Sequence, residues 1–224
     1  MIYQIICYFF AGVSDLLRPF DRKMILFRIN RRLPKKDKCS FYDLVSMLDF
    51  YEEIALPDIL RFTILKDGFF NILSACAISP DHILASQEWA IRLFLNNEIK
   101  NAFTVTVGHE KVHLEKDFFY KKPINKSGKK FVNWVNEVHA DFGAAEKMAD
   151  SSRNKLILSM KYKLSLKQTD NDSPTHPSWE KRLDYVSNYD FDETLIRKIA
   201  EDTGCQNEIL INKIISYYKP IMLK

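Results

Sequence analysis

The sequence predicts a mostly helical α+β protein, and two observations carry this prediction. Most segments repeat apolar residues at intervals of three and four, the period of a helix with one buried face. Residues 71–86 differ, because small and β-branched residues surround a Ser79-Pro80-Asp81 turn and Ile83-Leu84-Ala85 is expected to form a short strand. With 224 residues, 46% of them hydrophobic, the chain can bury a substantial core.

Each element is justified by its local pattern. Helical periodicity and end signals are found at 40–54, 58–70, 89–96, 103–115, 131–149, 179–186 and 193–218. The lysine-rich connection 121–130 contains the breakers Pro123 and Gly128, and 168–174 is a polar loop. We expect one structural domain in three parts: an N-terminal helical segment 1–69 packed on the core, the core 70–186, and a C-terminal helical segment 187–224.

Composition excludes several classes of protein. The formal charge of +4 is mild, and the lysines and arginines are not dense enough for a dedicated nucleic-acid binder. The four cysteines are widely scattered and form no C-x-x-C pair, so free thiols in a reducing compartment are expected. These are Cys7, Cys39, Cys76 and Cys205.

The N-terminal region has two unusual runs. The apolar run 2–13 is shorter than the roughly 20 residues of a membrane-spanning helix and lacks a basic start, which favours a buried helix or strand over a signal peptide. A clipped membrane segment or a mis-assigned start stays open. The basic run 28–38 is most simply a solvated loop, and its alternative is peripheral contact of residues 1–38 with an anionic membrane.

Two histidines stand four residues apart in the segment His109-Glu110-Lys111-Val112-His113, within the expected 103–115 helix. A helix advances about 100° per residue, so both imidazoles lie on one face and can converge on one ion. Zinc accepts histidine nitrogens, and a catalytic site combines three protein ligands with a water. Glu110 would be the general base that takes a proton from this water. The segment therefore indicates metal-assisted amide hydrolysis if a third ligand is present.

The third ligand is expected from the 131–149 helix. Glu137 and Asp141 share a face of that helix, so Glu137 can bind the ion while Asp141 accepts the free ring N–H of a ligand histidine. An isolated H-E-x-x-H pattern also arises by chance on exposed helices. A buried site is favoured here because apolar residues surround the histidines, namely Val105, Val107, Val112 and Leu114. We expect one zinc ion, held by His109, His113 and Glu137.

A third motif follows in Thr175-His176-Pro177-Ser178-Trp179-Glu180-Lys181-Arg182. Together with the H-E-x-x-H segment and Glu137-x-x-Ala140-Asp141, it resembles the HtpX and CAAX-prenyl-protease family of zinc metallopeptidases. The resemblance covers about residues 70–186 and includes the segment 79–84, where members place a strand before the active-site helix. It implies a zincin-like, gluzincin-like metallopeptidase core with a small β-sheet beside that helix.

The resemblance also implies roles for single residues. His109, His113 and Glu137 hold zinc, and Glu110 is the catalytic base. His176 lies near the open coordination position, where it either steadies an oxyanion or occupies the metal site in a resting state. Arg182 pairs with Asp141 and holds the second helix. Thr175-His176-Pro177 is also typical of a turn that opens a helix capped by Ser178, and both interpretations can hold.

Two features depart from the family pattern. Lys111 stands at a normally uncharged position and suggests that its face of the helix is more exposed than usual. No stretch has the length of a membrane-spanning helix, so a soluble or peripheral relative in the cytoplasm is expected. The other histidines are expected to be structural: His139 lies about 200° around the helix from Glu137, and His82 has no partner ligands.

Three functions remain open at this point. The first is a zinc endopeptidase whose peptide or unfolded-protein substrate pairs with the 83–85 strand. The second is a catalytically silent or latent zinc-binding regulatory module that acts through a protein partner. The third is a narrow-specificity protease that cleaves a repressor-like partner. The oligomeric state is not predicted by the sequence.

Overall fold

The structure is a computed structural model. It describes Phe27, Asn30 and Arg31 as helical, the backbone of three strands between residues 61 and 86, and residues 100–146, 153–165 and 171–222. The expected helices 40–54 and 89–96, the apolar run 2–13 and most of the basic run 28–38 lie outside the described residues. The chain divides into two compact units, residues 1–114 and 115–224, and each is described by itself.

Three short strands belong to the first unit. They are β1 (Arg61–Leu65), β2 (Ala75–Ile78) and β3 (His82–Ser86). The order is β1-β3-β2, with β1 parallel and β2 antiparallel to β3. The segment 83–85 is thus a strand, but it is paired on both sides, so the expectation that a substrate adds to it is wrong. The predicted helix 58–70 is also wrong at β1, where the β-branched pair Thr63 and Ile64 suits a strand.

Six helices follow the strands among the residues that the structure describes. They are α1 (Lys100–Lys116), α2 (Lys126–Glu146), α3 (Arg153–Ser165), α4 (Trp179–Asn188), α5 (Glu193–Thr203) and α6 (Glu208–Met222). Their bounds confirm the helices expected around 103–115, 131–149 and 179–186. None of the helices in the described part of the chain is both long enough and apolar enough to cross a membrane.

The expected α+β class is wrong for the part of the chain that the structure describes in full. There, helices account for 78% of the residues and no strand occurs; the three strands lie between residues 61 and 86, where only the backbone is described. A zincin-like core with a small sheet beside the active-site helix is therefore corrected to a helical assembly. The physical reason is that both segments that carry the metal motifs, α1 and α2, are helices, and α2 buries twelve of its residues against the other helices of its unit.

The second unit is built around α2. This helix packs against α3, α4 and α5, and twelve of its 21 residues are buried. Its apolar side chains join a core to which α4, α5 and α6 contribute, with Trp134, Tyr185 and Tyr218 fully buried. Because α2 is enclosed on several sides, the polar groups on it are held in fixed positions, including Glu137 and Asp141.

Helix ends in the second unit differ from the sequence prediction at two places. The α2 helix begins at Lys126, earlier than expected, because the side-chain oxygen of Asn125 accepts a 2.8 Å hydrogen bond from the Gly128 N–H and caps the first turn. The predicted single helix 193–218 is two helices. Gly204, with φ of 69°, ends α5 in the left-handed conformation, and Asn207 accepts from the Leu210 N–H where α6 begins.

Candidate metal centre

The two histidines of α1 converge as the i, i+4 spacing predicts. His109 is buried and His113 is half-buried, and their Nε2 atoms lie 3.0 Å apart. The rings meet edge to face, with centroids 4.6 Å apart and an angle of 85° between the planes. Two imidazole nitrogens on one tetrahedral zinc, at about 2.0–2.1 Å each, would be about 3.3 Å apart. The pair therefore already has close to the separation that a shared ion requires.

Glu137 completes a possible metal-binding group. One ligand atom from each of His109, His113 and Glu137 lies within 4.8 Å of the other two, and both His109 and Glu137 are buried. Ligands of a common ion are separated by about 3.3–3.6 Å, so small side-chain rotations would bring this set together. The prediction that these three residues form one group is confirmed, and the group can hold a metal ion.

Arg182 on α4 connects the two carboxylates of α2. Its Nε donates to Asp141 Oδ2 at 2.8 Å, and its Nη2 donates to Asp141 Oδ1. Its Nη1 lies 3.6 Å from Glu137 Oε2, and all three side chains are at least 89% buried. The predicted pairing of Arg182 with Asp141 is confirmed. A buried two-point contact of this kind fixes α4 against α2 and leaves Nη1 within ion-pair distance of the Glu137 carboxylate.

His176 reaches the same carboxylate from the loop before α4. Its Nε2 lies 3.2 Å from Glu137 Oε1, while Nδ1 is 2.8 Å from Thr175 Oγ1. The side chain is 58% exposed, so the imidazole has access to solvent as well as to the carboxylate. The structure thus brings His176 to a residue of the metal-binding group, and its catalytic role remains a prediction.

The loop that carries His176 is held at both ends. The Trp134 Nε1–H donates to the Ser173 carbonyl at 2.9 Å, and Ser173 Oγ accepts from the His176 N–H at 2.8 Å. At the start of α4, Ser178 caps the helix by accepting from the Lys181 N–H, which confirms its predicted capping role. The loop is therefore anchored on α2 and α4 rather than by His176 alone.

Asp172 adds a charged anchor to this loop. Its carboxylate accepts from the Ser178 N–H at 3.0 Å and from Lys181 Nζ at 2.8 Å. Partial burial raises the pKa of Asp172, but these hydrogen bonds and the Lys181 charge outweigh it and hold the pKa below its usual value. The aspartate is thus kept ionised where the loop joins α4.

The remaining predicted residues of α1 and α2 are placed as follows. Glu110 is half-buried and directly follows His109, and its role as a base stays a prediction. Lys111 is only 9% exposed, so the expectation of an exposed helix face is wrong. His139 is 3% exposed, and its ring packs 4.5 Å from Tyr218 and 5.1 Å from Phe191. It is a core histidine, as predicted. The side chain of His82 lies outside the described residues.

Two residues beside the site were missed by sequence reasoning. Trp179 lies under Arg182, with the guanidinium carbon 4.0 Å from the ring centroid, and Lys163 Nζ of α3 is 4.3 Å from the same centroid. The i, i+3 spacing of Trp179 and Arg182 could have predicted their contact, since residues three apart are neighbours on the surface of a helix. Lys163 had no sequence signal, because its contact joins two helices separated by a loop.

Comparison with known proteins adds no identification. The chain matches no protein-family model, no curated protein and no solved structure at a significant level. The function is therefore argued from the chemistry and geometry of the site.

Proposed function

We propose that the chain is a zinc-dependent endopeptidase. The observation that carries the proposal is the convergence of His109, His113 and Glu137, whose ligand atoms lie within 4.8 Å of one another. Three protein ligands that leave one position open are typical of catalytic rather than structural zinc sites. The resemblance of the three motifs to zinc metallopeptidases supports the same reaction class.

The ligand types favour a transition metal over magnesium or calcium, which take oxygen ligands almost entirely. Two imidazoles with one carboxylate suit both zinc and iron(II), and the H-E-x-x-H spacing on a helix is the feature that favours zinc. Both histidines present Nε2 to the shared position, since these are the atoms 3.0 Å apart. Histidine binds metals as the neutral imidazole, so both Nε2 atoms would have to be unprotonated when the ion is bound.

Each chain residue has a defined task in the proposed reaction. Bound zinc would act as a Lewis acid and lower the pKa of water to about 7. Glu110 would take a proton from that water and pass it to the leaving amine, and its place next to His109 keeps it beside the site. His176 would donate an N–H to the oxygen on which negative charge develops. Arg182 and Asp141 would keep Glu137 oriented as a ligand.

A peptide or unfolded protein is the substrate class that this chemistry supports. The substrate does not pair with β3, which is flanked by β1 and β2. The outer edges of β1 and β2 are unpaired among the described strands. Binding of an extended chain to such an edge holds its backbone with little dependence on sequence.

The test combines metal analysis with hydrolysis of unfolded casein. We expect about one zinc per chain and hydrolysis that stops when a chelator is added. Glu110→Gln should keep its zinc and lose at least about 100-fold in rate, the lower bound for removing a general base. Glu115→Gln is the matched control, since Glu115 is exposed near the end of the same helix. A zinc content near zero in folded protein, or a fully active Glu110→Gln variant, would refute the proposal.

One observation favours a second candidate, a latent zinc-binding regulatory module. His176 Nε2 is 3.2 Å from Glu137 Oε1, a position from which it can cover the metal-binding group. In that case the protein binds zinc but hydrolyses peptides only after a protein partner has moved His176 away from the metal-binding group. Zinc-loaded wild-type protein that leaves every peptide pool intact, together with an active His176→Ala variant, would favour this candidate.

A further inference from the structure

We infer that Trp179 is a positioning residue of the metal centre, acting through Arg182. The Trp179 ring lies 4.0 Å from the guanidinium carbon of Arg182, well within the reach of a cation–π contact. Arg182 in turn binds Asp141 through Nε and Nη2 and approaches Glu137 through Nη1. The inference rests on the proposed function, because it concerns how tightly the site holds zinc.

The geometry explains why a ring is needed at this position. A guanidinium is planar, and the bidentate contact with Asp141 fixes two of its nitrogens. Contact of the same group with an aromatic ring restricts its tilt, so the third nitrogen, Nη1, stays 3.6 Å from Glu137 Oε2. Without the ring, Arg182 could keep Asp141 and still rotate away from Glu137. Oε2 of Glu137 would then lose its ion-pair contact with Nη1.

The Trp179 ring also contacts a second cation, the ammonium group of Lys163. Lys163 of α3 is 92% buried, and its Nζ lies 4.3 Å from the Trp179 centroid. The Trp179 ring therefore contacts two cations, Lys163 of α3 and Arg182 of α4. Arg182 in turn forms ion pairs with two carboxylates of α2, Asp141 and Glu137. Partners that orient metal ligands commonly change metal affinity by about 10–100-fold when they are removed. Trp179 contacts Arg182, and Arg182 contacts the metal ligand Glu137. We therefore expect Trp179 to affect zinc affinity through Arg182.

Zinc affinity of the full-length protein, measured by competition with a chromophoric chelator, tests this inference. We expect Trp179→Leu to weaken zinc binding by about tenfold, since the ligand-orienting contact is loosened rather than removed. Trp179→Phe keeps an aromatic face for Arg182 and should stay within about threefold of wild type. In an Arg182→Gln background, Trp179→Leu should cause no further loss. This last comparison separates action through Arg182 from a general effect on folding.

Each other outcome is decisive. Unchanged affinity in Trp179→Leu, equal losses for Leu and Phe, or additive losses in the double variant would overturn the inference while leaving the proposed function intact. Wild-type protein that binds no zinc would overturn both. If circular dichroism shows that Trp179→Leu is unfolded, Trp179→Met takes its place. Failure of both variants to fold would assign Trp179 a purely structural role and reject the inference.

Discussion

The imidazole Nε2 of His176 lies 3.2 Å from Oε1 of Glu137, so a residue of the loop before α4 contacts a residue of the metal-binding group. The contact joins two motifs that are 39 residues apart in the sequence. The loop is anchored through Ser173 and Ser178, and the ring itself is held by the contact between its Nδ1 and Thr175 Oγ1. This relationship leads to the first prediction.

His176→Ala should retain zinc and lower the rate of peptide hydrolysis by about 100-fold or more, the loss typical of removing one oxyanion donor. The rate constant kcat should fall with little change in KM, because the interaction forms in the transition state. Steady-state kinetics on a fluorogenic peptide, with zinc content measured in parallel, check this. A rise in activity would instead identify His176 as a group that covers the site in a resting state.

Arg182→Met should destabilise the protein by about 3–5 kcal/mol, because it leaves the Asp141 carboxylate buried opposite an apolar chain. The free energy of unfolding in urea, measured with a chelator present, isolates this effect from zinc binding. The double variant Asp141→Leu, Arg182→Met is the control and should lose less than Arg182→Met alone. A double variant that is less stable than the single one would show that the unpaired Asp141 carboxylate is not the cause of the loss.

Gly204→Ala should destabilise the protein by about 1 kcal/mol through the backbone alone. Gly204 has φ of 69°, and a Cβ at this position would meet no atom within 4 Å, so no steric contact adds to the cost. Gly204→Asn should cost less, since asparagine tolerates the left-handed region better. Thermal unfolding of the three proteins measures the difference. A loss much above 2 kcal/mol for alanine would mean that the α5–α6 connection has shifted.

Stability should fall above about pH 10, the pKa of an exposed tyrosine, because of Tyr185. Burial and the 2.7 Å hydrogen bond to Asp202 raise the pKa of Tyr185 well above its usual value. The folded state therefore keeps the phenol proton at a pH where the unfolded chain loses it. The stabilisation is complete below the unfolded pKa and is lost as the pH rises above it, at about 1.4 kcal/mol per pH unit.

The variant Tyr185→Phe should lower this alkaline slope. Tyr218 is the comparison, since burial also raises its pKa and its share of the slope should remain. Urea unfolding at several pH values between 9 and 11 gives both slopes. Identical slopes for Tyr185→Phe and wild type would show that Tyr185 does not control the alkaline loss of stability.

Much of the metal centre was predictable from the sequence because its geometry is local. His109 and His113 are one helical turn apart, as are Glu137 and Asp141, and the helical repeat alone decides which side chains share a face. Of the two helices that carry them, α2 also follows from its apolar periodicity. The cap at Ser178 and the core position of His139 were predictable for the same reason, since each depends on a few neighbouring residues.

The errors fall where local pattern does not decide the result. The 193–218 segment is apolar at helical spacing on both sides of Gly204, and only the left-handed conformation of that residue separates two helices. Whether the strand 83–85 has a free edge depends on its pairing with β1 and β2. The residue pattern of a strand does not show which other strands pair with it. Lys111 is charged, yet the packing around α1 buries it. The fold class was wrong for the fully described part because the sheet was inferred from one short segment and from a resemblance of motifs, and neither determines the architecture of the core.

The sequence by itself determined which residues can bind a metal, since residue type and the helical repeat are properties of the chain alone. Only the tertiary structure decided that His109, His113 and Glu137 have ligand atoms within 4.8 Å of one another, and that Arg182 lies between Glu137, Asp141 and the Trp179 ring. The physical reason is distance along the chain. Contacts between separate helices depend on how buried faces pack, and that packing is a property of the whole core.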